Sequence, residues 1–374
     1  MNVGIVVHGP EIIDSGFAER IFEILRQNTN INLQIKLGGT IGRVAVIDKN
    51  LENTIDISEK LFPSDSLKKL ENNDVLIILN YGKSKITGHT FGKIVIERSA
   101  VKKPIIQVER PGEEDGTILI WNSEYLEKSK DFNEISEVIL ILKESLKLNV
   151  ENCISEGISF FTDGNMSFRR IHGVDANESI MLNGIIIGKA LNNELVIVSK
   201  NGKIVDIIGG IIKVHGIEKL GHIDLKKAVI KTGILRKNPS KNFESPKYDL
   251  NSNVGELIFI NHAGEDTLDR IKDKKICAVI TVGDDTTTIC GDILARFGVK
   301  IIGITNGDKD DILKNPAITK GSAIFLIKNH KDDDVGKLIH LTLKDKNFES
   351  FDYYIENIKD TMVKNNIEFE EITY

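Results

Sequence analysis

The residues from Val279 to Asp311, "VITVGDDTTTICGDILARFGVKIIGITNGDKDD", have the types and spacing to hold a cation and a phosphate. Gly283 permits close backbone approach. Asp284 and Asp285 offer oxygens of the kind a magnesium ion takes, together with phosphate oxygens and water. Thr286, Thr287 and Thr288 follow at what reads as a helix start, where N–H groups without helical partners and the positive end of the dipole favour phosphate. Asp308 and Asp310 stand after the next apolar run, placed to act as a second ligand or as a general base. The plain alternative is that Asp, Thr and Gly serve only as caps and turns. Two acidic clusters on successive strands favour the site, because acids brought together repel and a cation offsets the repulsion.

A second dense segment, "GGIIKVHGIEKLGHIDLKKAVIKTG" from Gly209 to Gly233, carries Lys213, His215, Glu218, Lys219 and His222. Base, acid and cations in one short stretch suit the grip of a phosphate or carboxylate, and Lys213 and His215 are the candidates to hold an acceptor. The alternative is a solvated surface turn. In the first third, Gly38, Gly39, Thr40 and Arg43 follow one strand, and Lys83, Ser84 and Thr87 follow another. Together they form a candidate anion pocket at one sheet edge, against the alternative of ordinary turns. Gly82-Lys83-Ser84 is not a Walker A ending, since the first glycine of that motif is missing.

These residues need a scaffold, and the apolar pattern supplies one. "VGIVVHG", "INLQIKLGG", "DVLIILNYG" and "KPIIQVERPG" are nearly continuous apolar runs bounded by glycine, with helices expected from about Glu11 to Gln27, after Gly88 and from about Glu134 to Leu148. Such runs indicate a parallel sheet covered on both faces. The expected organisation is an N-terminal α/β domain over 1–150 and a C-terminal domain over 151–374. The latter divides into a β-rich subdomain (151–235), a polar loop (236–253) and a second α/β unit (254–374). Asn201-Gly202 between "ELVIVSK" and "KIVDIIG" signals a hairpin. The fold class is therefore α/β, with two doubly wound, mainly parallel-sheet units, the second carrying the β-rich layer.

Length and composition narrow the function. A chain of 374 residues, 28% charged and 41% hydrophobic, is a globular protein of about two domains. No apolar run nears the roughly 20 residues of a membrane span, and the start lacks a basic region and cleavage site, so a cytoplasmic protein is expected. Net charge is −6 and aromatic content 6%, which argues against a nucleic-acid partner and leaves few stacking platforms. Cys153, Cys277 and Cys290 are too scattered for a disulfide framework or structural zinc.

The segment "VGDDTT", "DILARFG", "IIGITNGDKDDIL" resembles the phosphate and metal loop of the phosphofructokinase and NAD kinase superfamily. The resemblance implies a metal-binding place for Asp284 and a catalytic acid near Asp308 or Asp310. Val282 and Asp285 stand where that superfamily has glycines, and Lys309 falls on the acid's own position. Over nearly the whole chain, "HGPEIIDSGFA", "LGGTIGRVAVID", "NYGKSKITGHTFG", "GGIIKVHGIEKL" and "VGDDTT" resemble a family of uncharacterised proteins of methanogenic archaea. That resemblance implies an archaeal cytoplasmic setting and no particular activity. The residues lead to the expectation of a magnesium-dependent enzyme that binds a nucleotide or diphosphate and transfers a phosphoryl group to a small anionic or phosphorylated metabolite. The rivals are a non-catalytic small-ligand-binding or regulatory protein and a scaffold component of a larger assembly.

Overall fold

The computed structural model describes residues 1–27, 30–236, 246–262, 264–307, 312–313, 315–346 and 348–374. The chain forms two compact units that do not follow its order. The first comprises Met1–Glu178, Gly188–Ile212 and Gly221–Ala228; the second comprises Ser179–Ile187, Lys213–Leu220 and Val229–Tyr374.

In the first unit, β1 (Asn2–His8), β2 (Asn32–Gly38), β3 (Val75–Asn80), β4 (Ile105–Glu109), β5 (Thr117–Trp121) and β6 (Asn149–Glu151) form one sheet in the order β2-β1-β3-β4-β5-β6. All pairs are parallel except β4 with β5. The strands alternate their side chains between two buried faces. Val3, Ile5, Val7, Ile77 and Leu79 pack with Ile12 and Ile13 of α1 (Glu11–Asp14), Ile21 and Phe22 of α2 (Phe17–Arg26), Ala45 and Val46 of α3 (Gly42–Asp48), and a fourth helix further along the chain. Val6, Leu76 and Ile78 pack on the other face with Leu67 of α4 (Pro63–Lys69) and Val95 and Ile96 of α5 (Lys85–Ser99). That fourth helix on the first face is α6 (Phe132–Leu146), through Ile135, Val138 and Leu142. A sheet buried on both faces explains the continuous apolar runs. The single helix expected over 11–27 is two, because Gly16 takes φ 78° and breaks it. The helix placed after Gly88 begins earlier, at Lys85, where Ser84 and Thr87 cap it reciprocally.

The β-rich segment is divided between the units. β7 (Ser159–Asp163) and β8 (Met166–Ile171) belong to the first; β9 (Ser179–Leu182) belongs to the second, and β10 (Ile185–Ala190) runs from the second into the first. In the first unit β11 (Leu195–Lys200) and β12 (Lys203–Ile208) form the hairpin expected at Asn201-Gly202, with φ of 49° and 75° at those residues. β11 also pairs with β8, and the short β13 (Gly210–Ile212) pairs with the end of β10.

The second unit continues through α7 (Val214–Leu220) and β14 (Ile230–Thr232), which pairs with β9. Its main sheet consists of β15 (Asn251–Ile260), β16 (Ile276–Val282), β17 (Ile301–Thr305), β18 (Ala323–Ile327) and β19 (Phe369–Thr373), in that order; only β18 with β19 is antiparallel. Its first strand thus begins at Asn251, inside the stretch read as polar loop, of which 237–245 lie outside the described residues. After β15 comes the short α8 (Thr267–Ile271); α9 (Asp284–Leu294) then joins β16 to β17 and packs on one face, where Gly303 meets the methyl of Thr287. On the opposite face α10 (Asp332–Leu343) and α11 (Phe351–Lys364) bury Val335, Ile339, Tyr354 and Ile358 against Ile280, Val282, Ile304 and Phe325. The carboxyl edge of this sheet therefore receives a helix start from each face. Among the described residues no helix is long and apolar enough to cross a membrane.

Candidate functional site

In open α/β sheets ligands bind beyond the carboxyl ends of the strands. The second unit has an open cleft there. Asn261 and His262 follow β15, Gly283, Asp284, Asp285 and Thr286 follow β16, Asn306 follows β17, and Asp332 opens α10 beyond β18. Lys213, His215 and Lys219 come from the segment around α7 and line the same cleft. The two dense segments of the sequence, some seventy residues apart, thus meet within one unit.

Local geometry explains each placement. Gly283 has φ 93° and ψ 147°, a conformation almost confined to glycine, and turns the chain from β16 into α9. Asp284, only 6% exposed, directs Oδ2 to the backbone N–H groups of Asn306 and Gly307, at 3.3 and 3.1 Å. It ties the turns after two adjacent strands together. Three consecutive helical residues point in different directions, so the three threonines part company. Thr286 lines the cleft. Thr287, 3% exposed, faces the sheet and shares a 2.8 Å hydrogen bond with Thr281; Thr288 donates back to the Asp284 carbonyl at 2.8 Å. The expected phosphate contacts of Thr287 and Thr288 have no counterpart in these orientations. Asp308 and Asp310 lie outside the described residues.

On the other wall, Gly216 lets α7 lie against Ile186, since a Cβ there would overlap the Ile186 carbonyl oxygen. His215 and Lys219, four residues apart, share a helix face. Both reach Asp333: Nε2 of His215 and Nζ of Lys219 lie 2.9 and 3.0 Å from Oδ2. Asp332 is buried beside them, and burial, with the charges of Asp333 and Asp284 adding to it, pushes its carboxyl above the usual range while Lys219 opposes. The ligand atoms of His215, Asp332 and Asp333 all lie within 4.8 Å of one another. Two carboxylates suit magnesium, and the imidazole extends the set toward a transition metal such as manganese.

Sequence reasoning missed Asp332 and Asp333. The signal was present in "AIFLIKNHKDDDVGKLIHLTL", an apolar strand, a turn, acids, then Val335, Ile339 and Leu343 at helical spacing. It is the same strand–turn–acid–helix pattern as "VITVGDDTTT".

The candidate anion residues of the first unit lie at one sheet edge but after strands that are not neighbours. Gly38, Gly39, Thr40 and Arg43 follow β2 and Lys83 and Ser84 follow β3, but β1 stands between those strands, a separation of about 10 Å. Arg43 is 2% exposed. Lys83 is held by both oxygens of Glu178 at 2.6 Å. Ser84 caps α5.

The comparisons with known proteins agree with the whole-chain resemblance. Residues 5–347 match the family described as an uncharacterized protein conserved in archaea (DUF2117). The chain belongs to that family. It is 57% identical over 375 residues to an uncharacterized protein of the methanogen Methanocaldococcus jannaschii, covering 100% of both chains. No solved structure matches. The loop's likeness to the phosphofructokinase and NAD kinase superfamily gains nothing from these matches.

Proposed function

We propose that the second unit is a metal-assisted phosphoryl-transfer site that takes a nucleotide, a diphosphate or another phosphorylated metabolite with magnesium or manganese. The observation that carries this reading is the convergence of Lys213, His215 and Lys219 with Asp284, Asp285 and Asp332 in one cleft at the carboxyl edge of a parallel sheet. Cations and carboxylates in that mixture match a ligand that is itself an anion carrying a cation. Asp332 and Asp333, with His215, would hold the metal. Bound there, it would screen phosphate charge as a Lewis acid. Lys213 and Lys219 would contact phosphate oxygens as point charges, and Thr286 with the amides opening α9 would orient them. The base role of Asp308 or Asp310 remains part of the proposal.

The test is a thermal-shift screen of nucleotides, diphosphate and sugar phosphates with and without magnesium or manganese, since a ligand of the folded state stabilises it by mass action. A metal-dependent rise in Tm that is lost in Asp332→Asn is the expected result. No rise with any phosphate ligand sinks the reading. The bonding of Asp284 to two backbone amides favours a second reading, a ligand-binding protein without chemistry. Binding with no phosphoryl transfer in a phosphorus-31 NMR time course would select it.

A further inference from the structure

One oxygen of the proposed metal site in the second unit already carries an ammonium group. Asp332 and Asp333 open α10, while His215 and Lys219 share a face of α7. Nζ of Lys219 and Nε2 of His215 converge on the same atom, Oδ2 of Asp333, at 3.0 and 2.9 Å. Among the described residues Lys219 has no other ion pair. Asp332 is held differently. It is 3% exposed, and its Oδ1 accepts the backbone N–H of Asp333 at 2.9 Å. Among the described residues nothing donates to its Oδ2, which lies 4.0 Å from the position a Cβ would take on Gly283, another residue of the cleft. A buried carboxylate oxygen with no donor is a place for a cation.

Lys219 and a divalent metal compete for Asp333. A magnesium or manganese ion bonded to Oδ2 sits about 2.1 Å from it, hence at most about 5 Å from the ammonium where it now stands. The metal takes up the negative charge that holds the ammonium and repels it as well. Lys219 must then find another anion. Its head is a point charge on a flexible four-carbon stem, and it lines the cleft together with Lys213 and Thr286. The acceptor within its reach is a phosphate bound in that cleft.

We propose that Lys219 is the switch that couples the two ligands of the cleft: it occupies Asp333 until a divalent metal displaces it, and the displaced ammonium then grips the phosphate. The proposal rests on the metal and phosphate reading given above, and adds to it an order of binding, metal before phosphate, and the residue that imposes the order. By linkage, the factor by which the metal tightens phosphate is also the factor by which phosphate tightens the metal.

Equilibrium dialysis of the full chain tests it, against manganese(II) alone, inorganic phosphate alone, and phosphate at saturating manganese. Phosphate should bind more tightly with manganese than without. Lys219→Met removes the competitor and the phosphate contact together, so two effects of opposite sign are expected. Manganese alone should bind about fivefold more tightly, the equivalent of an ion pair of about 1 kcal/mol, and phosphate should bind the manganese-loaded protein more weakly. Asp333→Asn releases the lysine without a metal, so phosphate alone should bind about fivefold more tightly, and adding Lys219→Met should abolish that gain. Asp334→Asn removes an equal charge from the neighbouring residue, which pairs with Lys337 at 3.6 Å, and should leave phosphate binding unchanged. Failure of the unsubstituted chain to bind manganese overturns the metal reading and this proposal with it. Manganese binding that Lys219→Met leaves unchanged or weakens overturns the proposal alone. So does phosphate that binds equally with and without manganese, or a gain in Asp334→Asn as large as that in Asp333→Asn.

Discussion

Replacing Gly88 by alanine sets two effects of opposite sign against each other. In an exposed helix interior the change would stabilise by about 1 kcal/mol, the difference in helix propensity. In α5 the added methyl overlaps the Cδ and both oxygens of Glu109, and that carboxylate is pinned by N–H donors from Asn80, Gly82 and Gln107. Overpacking of this kind costs about 1–3 kcal/mol, and each hydrogen bond to a buried charge lost by moving the carboxylate adds about 1.5–3. One such bond lost leaves a net destabilisation of about 3 kcal/mol. Urea unfolding can be followed on this unit alone, because Trp121 is the chain's single tryptophan and belongs to the same hydrogen-bonded chain. The midpoint should fall by roughly 1–2 M urea at ordinary slopes. In a Glu109→Ala background the obstacle is gone, so Gly88→Ala should become neutral or stabilising, giving a coupling energy of the same size as the original loss. A rise in midpoint for Gly88→Ala in the unsubstituted chain would refute the close approach and the network built on it.

Thr287→Val keeps the shape but strips the hydroxyl that bonds Thr281, leaving a buried O–H behind; it should cost about 1–2 kcal/mol in chemical unfolding and leave any metal-dependent phosphate stabilisation intact. Loss of that stabilisation instead would place Thr287 in the site. Asp56 bonds Lys36 and Ser58, and those bonds lower its pKa from 3.8 to about 2. A depressed folded pKa means the contribution is whole above about pH 4 and is lost as pH falls toward 2. Lys36→Met should flatten the acid limb of the stability curve over that interval, and an unchanged limb would count against the pairing.

Local composition by itself determined the α/β class, the doubly covered sheet of the first unit, the Asn201-Gly202 hairpin and the helix expected from about Glu134 to Leu148, which spans Phe132–Leu146. Each rests on short-range rules, namely continuous apolar runs, a turn needing positive φ, and a stripe such as Ile135, Val138 and Leu142. The sequence likewise singled out Gly283 to Thr286 and Lys213 to Lys219 as chemically dense, but not that they share a cleft, since their meeting depends on where α7 docks, through Gly216 on β10. Helical phase, which the letters "DDTTT" do not display, turned Thr287 to the sheet and Thr286 to the cleft. Strand order decided the rest. With β1 between β2 and β3, the groups expected as one anion pocket follow strands that are not neighbours, and His8, which no short-range rule singled out, meets Asn80, itself bonded to the buried Glu109. A residue's chemistry is local, but its partners are set by pairing between strands distant in the chain, and that pairing is fixed by burial of the whole sheet rather than by any one segment.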